Sequence, residues 1–359
     1  GRPCTTWRTA NSTILPDLVR GMSVTASTLA GTWRGVQPVR MRVLIFLISR
    51  LLPGDAVRFA LGPQATDEQI AQLSSEMGLD RPLVVQYWRL IKGLFQGDLG
   101  VSLTTFRPIA GDLATFLPAS LELALFGMAL AIVIGVPLGV MTAVHRNRSR
   151  DYIGRALAFS GVALPVFWFA LLAQSLFAFQ WRILPPLGRI DADVKPPPDV
   201  TGSFLIDSLL ILDIGLFFHV LSFLVLPALV LAASPMAMIL RLLRASMIDE
   251  MGKDYVLTAR ANGMPRNLLV HKYMLRNAFS STLTIIGLLF GFFIGGAFIV
   301  ETVFSWPGIG RYGVRALQFK DFNAIIAVTL LVGIAYAAAN TVVTVLYGWL
   351  DPRLRLGRR

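Results

Sequence analysis

Asp249-Glu-Met-Gly-Lys-Asp-Tyr-Val-Leu-Thr-Ala-Arg-Ala-Asn-Gly-Met-Pro-Arg-Asn-Leu-Leu-Val-His-Lys-Tyr-Met-Leu-Arg-Asn277 is the stretch around which the rest of the chain is organised. It reads as helix, sharp turn, helix. Tyr255–Asn262 favours helix, and Gly263 stands where a left-handed residue ends one. Pro265 suits the first turn of a second helix, where its missing N–H costs nothing. Leu268, Leu269 and the Tyr273–Leu275 group make that second helix amphipathic against Arg266, Lys272 and Arg276. A hairpin of this kind is either a docking element for a cytoplasmic partner or a solvated loop with a basic face. The pattern alone leaves both open.

The hairpin lies between long apolar runs. The chain is 55% hydrophobic and 15% charged, with a mean hydropathy of +0.63. Soluble domains carry about 25% charged residues, so this surface is too apolar to face water throughout. Five segments have the ~20 apolar residues that a membrane crossing needs: Pro118–Val144, Arg155–Phe179, Leu221–Met247, Ala278–Phe304 and Ala324–Leu350. A sixth candidate, Val36–Leu52, holds only the short run Val43–Ser49, flanked by Arg40, Arg42 and Arg50.

Charge sets an expected orientation. His145–Arg155, Arg241–Asn277 and the tail Asp351–Arg359 are basic, whereas Pro53–Leu117 and Trp181–Val220 hold more acids than bases. The positive-inside rule puts the first set in the cytoplasm and the second outside. About six spans with both termini cytoplasmic fit the alternation. The same rule accounts for the net charge of +12, so no nucleic-acid partner is needed to explain it. Cys4 is the one cysteine, and His145, His219 and His271 are too scattered for a metal site. No catalytic, cofactor-binding or metal-ligating residue is assigned. The first stretch lacks the ordered regions of a signal peptide.

Within the first external loop, Thr66-Asp-Glu-Gln69 has the spacing of a capping box, which predicts a helix start. Pro82–Phe95 is amphipathic, with Leu83, Val84, Tyr87, Trp88, Leu90, Ile91 and Leu94 mostly on one face, and is expected on the membrane surface or on neighbouring helices. The second external loop carries Pro185-Pro186 and Pro196–Pro198, extended spacers. Phe204–Phe218 then reads as a peripheral or partly embedded helix. Gly287, Gly291 and Gly295 share one face of the fifth span, for close packing or for lining a pathway. No internal repeat is present.

The hairpin resembles the EAA loop of ABC importer permeases, whose pattern is Glu-Ala-Ala, three residues, Gly, nine residues, Ile-x-Leu-Pro. Leu257, Thr258 and Ala259 stand at the Glu-Ala-Ala positions, Gly263 at the glycine, and Tyr273-x-Leu275-Arg276 at the close. The departures resemble the dipeptide/oligopeptide (nickel) branch, in Thr258-Ala-Arg-Ala-Asn-Gly263 and Leu275-Arg-Asn-Ala278. Leu52-Pro-Gly-Asp55, Gly78-Leu-Asp-Arg-Pro-Leu83, Gln96-Gly-Asp-Leu-Gly100, Glu301-Thr-Val-Phe-Ser-Trp-Pro-Gly-Ile-Gly310 and Leu350-Asp-Pro-Arg353 are similar to the same branch. They occur in family order from about Val43 to Arg353.

The resemblance implies an all-α, polytopic membrane protein of the MetI-like permease fold. It divides the chain into residues 1–42, which match poorly; 43–117, a first span and an external amphipathic region; 118–353, the permease domain with its hairpin at 249–277; and 354–359, a basic tail. It implies a pore-forming subunit of an ATP-driven importer for dipeptides or oligopeptides in the bacterial inner membrane. Its partners would be a second permease subunit, two ATP-binding subunits, a solute-binding protein and membrane lipid. Thr258, Ala259, Arg260, Gly263, Met264 and Leu275 would couple it to the ATPase. The chain has no phosphate-binding loop, so ATP and Mg belong to the partners. Nickel, glutathione or haem are alternative cargoes within the family. An ion-coupled secondary transporter is the alternative of another class, but the acids inside the five spans, Glu122 and Glu301, lie near span ends.

Overall fold

The computed structural model describes residues 56–61, 64–76, 78 and 80–350, so the expected first span, residues 1–42 and the tail lie outside them. Helices α1 (Ala56–Leu61), α2 (Asp67–Glu76) and α3 (Leu83–Gln96) precede the long spans. The capping box forms as its spacing predicts. Gln69 N–H donates to Thr66 Oγ1 at 3.3 Å, and Thr66 N–H donates to Gln69 Oε1 at 3.0 Å.

The first long helix, α4 (Ile109–Val144), has 36 residues and includes Pro118 and Pro137. At 1.5 Å per residue it is about 54 Å long, well beyond a ~30 Å hydrocarbon core. Next come α5 (Ser149–Ala163) and α6 (Val166–Ala173), the latter continuing as a π-helical turn over Gln174–Gln180. The sequence predicts one span over Arg155–Phe179. The structure instead bends α5 and α6 by 111° at Leu164-Pro165. Leu164 is extended, with φ −84° and ψ 131°. The ring of a following proline disfavours helical backbone at that position.

The segment read as a single helix over Phe204–Phe218 is also divided. A short α7 (Phe204–Leu210) ends, and α8 (Ile214–Met251) begins with Asp213 as its N-cap. Asp213 Oδ1 accepts the Leu216 N–H at 2.9 Å. The third span therefore starts seven residues before the expected Leu221. After the hairpin come α11 (Leu275–Val303), α12 (Ile309–Gln318) and α13 (Phe322–Leu350). Among the described residues, three helices are long and apolar enough to cross a membrane, or four if the bent pair is one span. Helix α11, with 29 residues, has the length of another. There is no strand among them beyond an isolated bridge of Val101 to Pro108.

The main core forms where α4 lies against α8 and α11. Leu123, Leu224, Ile239, Phe293 and Trp306 are all buried in it. Close approach of α4 to α8 depends on Gly135 and Gly139. A Cβ on Gly139 would come within 3.0 Å of Leu243 Cβ, and one on Gly135 within 3.1 Å of the Met236 carbonyl. Gly291 makes a different contact: a Cβ there would overlap the Tyr336 ring of α13.

Candidate functional site: the hairpin between the spans

Helix α8 ends at Met251, and after Gly252-Lys253 the first arm of the hairpin, α9, runs Asp254–Ala261. Gly263 has φ +73°, as its position predicts. Gly263 N–H donates to Arg260 O at 3.0 Å and Met264 N–H to Ala259 O at 3.1 Å. That is the pair of bonds of a Schellman termination, and Met264 and Ala259 both pack against the core beneath it. The second arm differs from expectation. Pro265 is the N-cap, extended at ψ 135°, and not the first helical residue. The arm is α10 (Arg266–Leu268), then a π-helical stretch Leu269–Met274 that runs directly into α11. The second arm and the span are thus continuous, whereas α9 is set off by the Gly263 turn.

The inner face of the hairpin is anchored on the ends of α4 and α8. Val256, Leu269, Val270 and Met274 bury against Val140, Ala143, Leu243 and Met247. Ala259, Met264 and Leu275 pack against the same cluster. Polar contacts fix the approach: Glu250 pairs with Lys253, and Glu250 Oε2 accepts from Tyr255 Oη at 2.6 Å. Asn277 Nδ2 donates to the same Tyr255 oxygen at 3.3 Å, and Arg266 Nη2 to Val144 O at 3.2 Å. Glu250 holds the Lys253 ammonium above its ordinary value. Burial, together with Glu250, pushes the Tyr255 phenol up. Both groups keep their protons near neutral pH. Beside the hairpin, Arg244 Nε and Nη2 donate to the buried Asp151 carboxylate at 2.7 and 2.8 Å, tying α5 to α8.

The outer face is different. Thr258, Arg260 and Gly263 are exposed, and so are three large apolar side chains: Leu257 at 56%, Leu268 at 40% and Tyr273 at 39%. The six residues expected from the sequence thus divide. Ala259, Met264 and Leu275 seat the hairpin on the spans, and Thr258, Arg260 and Gly263 face away. Leu257 and Leu268 were not assigned a site role in the sequence. Their signal is an apolar residue on the outward side of a helix whose inward side is already filled.

Residues 135–356 match the family described as the binding-protein-dependent transport system inner membrane component, and residues 36–112 match its N-terminal counterpart. This chain belongs to that family. It is therefore a membrane permease subunit of an ABC importer. The permease is 42% identical over 315 residues to a protein named as a probable D,D-dipeptide transport system permease, DdpB, of Escherichia coli strain K12, covering 88% of this chain and 93% of the relative. It is 37% identical over 317 residues to the dipeptide transport system permease protein DppB of Alkalihalophilus pseudofirmus, covering 88% and 95%. It is 36% identical over 314 residues to the glutathione transport system permease protein GsiC of Salmonella paratyphi A, covering 87% and 93%.

At the far end of the permease from the hairpin, two buried carboxylates close the bundle. Glu122 of α4 and Arg189 form an ion pair with side-chain exposures of 2% and 7%. Glu122 Oε1 also accepts from Ser203 Oγ and Leu205 N–H, each at 2.8 Å. Arg189 donates to Gly202 O at 2.8 Å and lies 3.7 Å over the Phe204 ring. Glu301 of α11 accepts from Ser120 Oγ at 2.6 Å and Arg311 N–H at 3.0 Å. Neither acid is left free in the membrane core. The sequence places both near span ends; the geometry braces Glu122 with Arg189 and Ser203 of the following loop, and Glu301 with Ser120 of α4 and Arg311 of α12.

Proposed function

We propose that this permease is a pore-forming subunit for uptake of short peptides, dipeptides foremost. It would work with a second permease subunit, two ATP-binding subunits that carry ATP and Mg, and an external solute-binding protein. The observation that carries the coupling role is the outward apolar face, Leu257, Leu268 and Tyr273, of a hairpin whose second arm is continuous with α11. An ATPase cleft would cover that face, and its closure would push on α11 directly. Thr258, Arg260 and Gly263 would contact or shape the docking surface. Ala259, Met264 and Leu275 would hold it in place. The relatives named for dipeptides supply the cargo class. A relative named for glutathione, itself a tripeptide, supports a second reading.

The test is uptake into proteoliposomes holding the complete transporter, with ATP inside or omitted. Labelled L-alanyl-L-phenylalanine, glutathione and nickel are offered in turn with the cognate binding protein. ATP-dependent dipeptide uptake is the expected result. Uptake of glutathione alone replaces the cargo assignment, and uptake without ATP overturns the ABC mechanism.

The orientation proposal has its own probe. Both termini are taken as cytoplasmic, and Cys4 is the only thiol in the sequence. An impermeant maleimide should leave intact cells unlabelled and label Cys4 after permeabilisation. Ready labelling in intact cells puts the N-terminus outside.

A further inference from the structure

A cleft of about 490 Å³ lies at the far end from the hairpin, between α2, α3, the loop after α3 and the first turn of α13. Its size is within the ~300–1,000 Å³ of small-molecule sites. Glu76, Arg89 and Asp98 line it, with Leu73, Val101 and Phe106 among its apolar walls. The lip is apolar and open: Val101 is 42% exposed and Phe106 58%.

The charges in the cleft are held apart. Among the described residues no ion pair joins Arg89 to either acid. The Arg89 guanidinium lies over Gly78, which has φ +65°, and a Cβ there would overlap Nη1. The turn after α3 folds back onto Gly93, where a Cβ would sit 2.6 Å from Asp98 O. Asp98 N–H donates to Gly93 O at 2.8 Å, and Asp98 Oδ1 accepts the Gly100 N–H at 2.8 Å. Glu76 Oε1 accepts only a neutral amide donor, Gln72 Nε2, at 3.1 Å. One cation and two anions therefore line a single cavity beside an apolar lip, with no ion pair among them in the described residues.

We propose that this cleft binds a free zwitterionic dipeptide, with Arg89 on its carboxylate, Glu76 and Asp98 on its ammonium, and Phe106 and Val101 against a side chain. A guanidinium fork suits a terminal carboxylate, and a carboxylate pair suits an ammonium. An excess of acids over bases disfavours purely anionic ligands. This inference rests on the peptide reading above and adds a binding site outside the route between the spans. In that position the cleft would hold a peptide near the mouth before or after hand-over from the binding protein.

The experiment uses membrane vesicles with the complete transporter and no binding protein. The probe is L-alanyl-p-benzoyl-L-phenylalanine, and the label is mapped by mass spectrometry. Saturable labelling within residues 73–106 is expected. L-alanyl-L-phenylalanine should compete, and its N-acetylated, C-amidated form should not. Arg89→Gln should weaken labelling about tenfold, with Arg89→Lys in between, since lysine keeps the charge but not the fork. Phe106→Ala should weaken competition by L-alanyl-L-phenylalanine but not by glycylglycine, which no general loss of folding would do. Dipeptide uptake by the whole system with no saturable label in residues 73–106 overturns the cleft proposal alone. Labelling that the blocked peptide competes equally well overturns it too, as an apolar patch only. Absence of dipeptide uptake removes the peptide reading, and this proposal with it.

Discussion

Gly263→Val is expected to leave the permease in the membrane at normal amount while uptake is lost and its ATPase subunits are retained weakly or uncoupled. The reason is conformational. Gly263 has φ +73°, and no atom beyond its own and its chain neighbours' lies within 4 Å of where its Cβ would be. The cost is therefore backbone strain alone, about 1–2 kcal/mol for an L residue and more for a β-branched one. A shift of that size changes a two-state population about 5–30-fold. The alternative state lacks the paired Gly263 and Met264 bonds, so α9 no longer leads into Pro265 at the native angle. A rigid cleft cannot follow a splayed hairpin. Gly263→Asn should keep much of the activity, because Asn tolerates the left-handed region. Gly139→Val makes the contrast, since a Cβ there meets Leu243 at 3.0 Å and should reduce the amount of folded protein. Uptake and ATPase co-purification are the measurements. Normal values of both in Gly263→Val would reduce the hairpin to a basic loop.

The second large effect lies at the opposite end. Arg189→Ala should lower the stability of the purified permease by about 3–5 kcal/mol, because it leaves the buried Glu122 carboxyl without its main partner. Ser203 Oγ and the Leu205 N–H remain as donors, but neither carries charge. Burial pulls the Arg189 guanidinium below its ordinary value, and Glu122 opposes this. Arg189 is also the link that holds the loop at Gly202 and Phe204 against α4. The double variant Glu122→Gln, Arg189→Met removes both charges together and should recover most of the loss. Thermal unfolding of the wild type, Glu122→Gln, Arg189→Met and the double variant gives the coupling energy. A single-variant loss under 1 kcal/mol, or no recovery in the double variant, would show that the pair contributes little.

Much of this molecule is written locally. The apolar runs that became α4, α8, α11 and α13 are visible because a helix in lipid must satisfy its own backbone and show hydrocarbon outward. The Thr66–Gln69 capping box and the Gly263 termination are visible because each is a bargain among residues within one or two turns. The Pro165 break was also available from one residue, although an apolar count over Arg155–Phe179 runs straight through it.

Pairings across the bundle were not available in that way. Glu122 meets Arg189 from 67 residues away, and Ser120 meets Glu301 from 181. No period or spacing connects such residues, since their proximity depends on how the long helices cross. The same holds for the α4–α8 contact at Gly135 and Gly139, which needed the facing side chains of α8 to be known. At the hairpin the sequence determined the turn and its glycine. Only the tertiary structure decided which side of each arm was filled by α4 and α8, and so which side was left exposed. Local backbone preference fixes a turn within a few residues, whereas the direction in which a side chain faces is set by whatever the rest of the chain packs beside it.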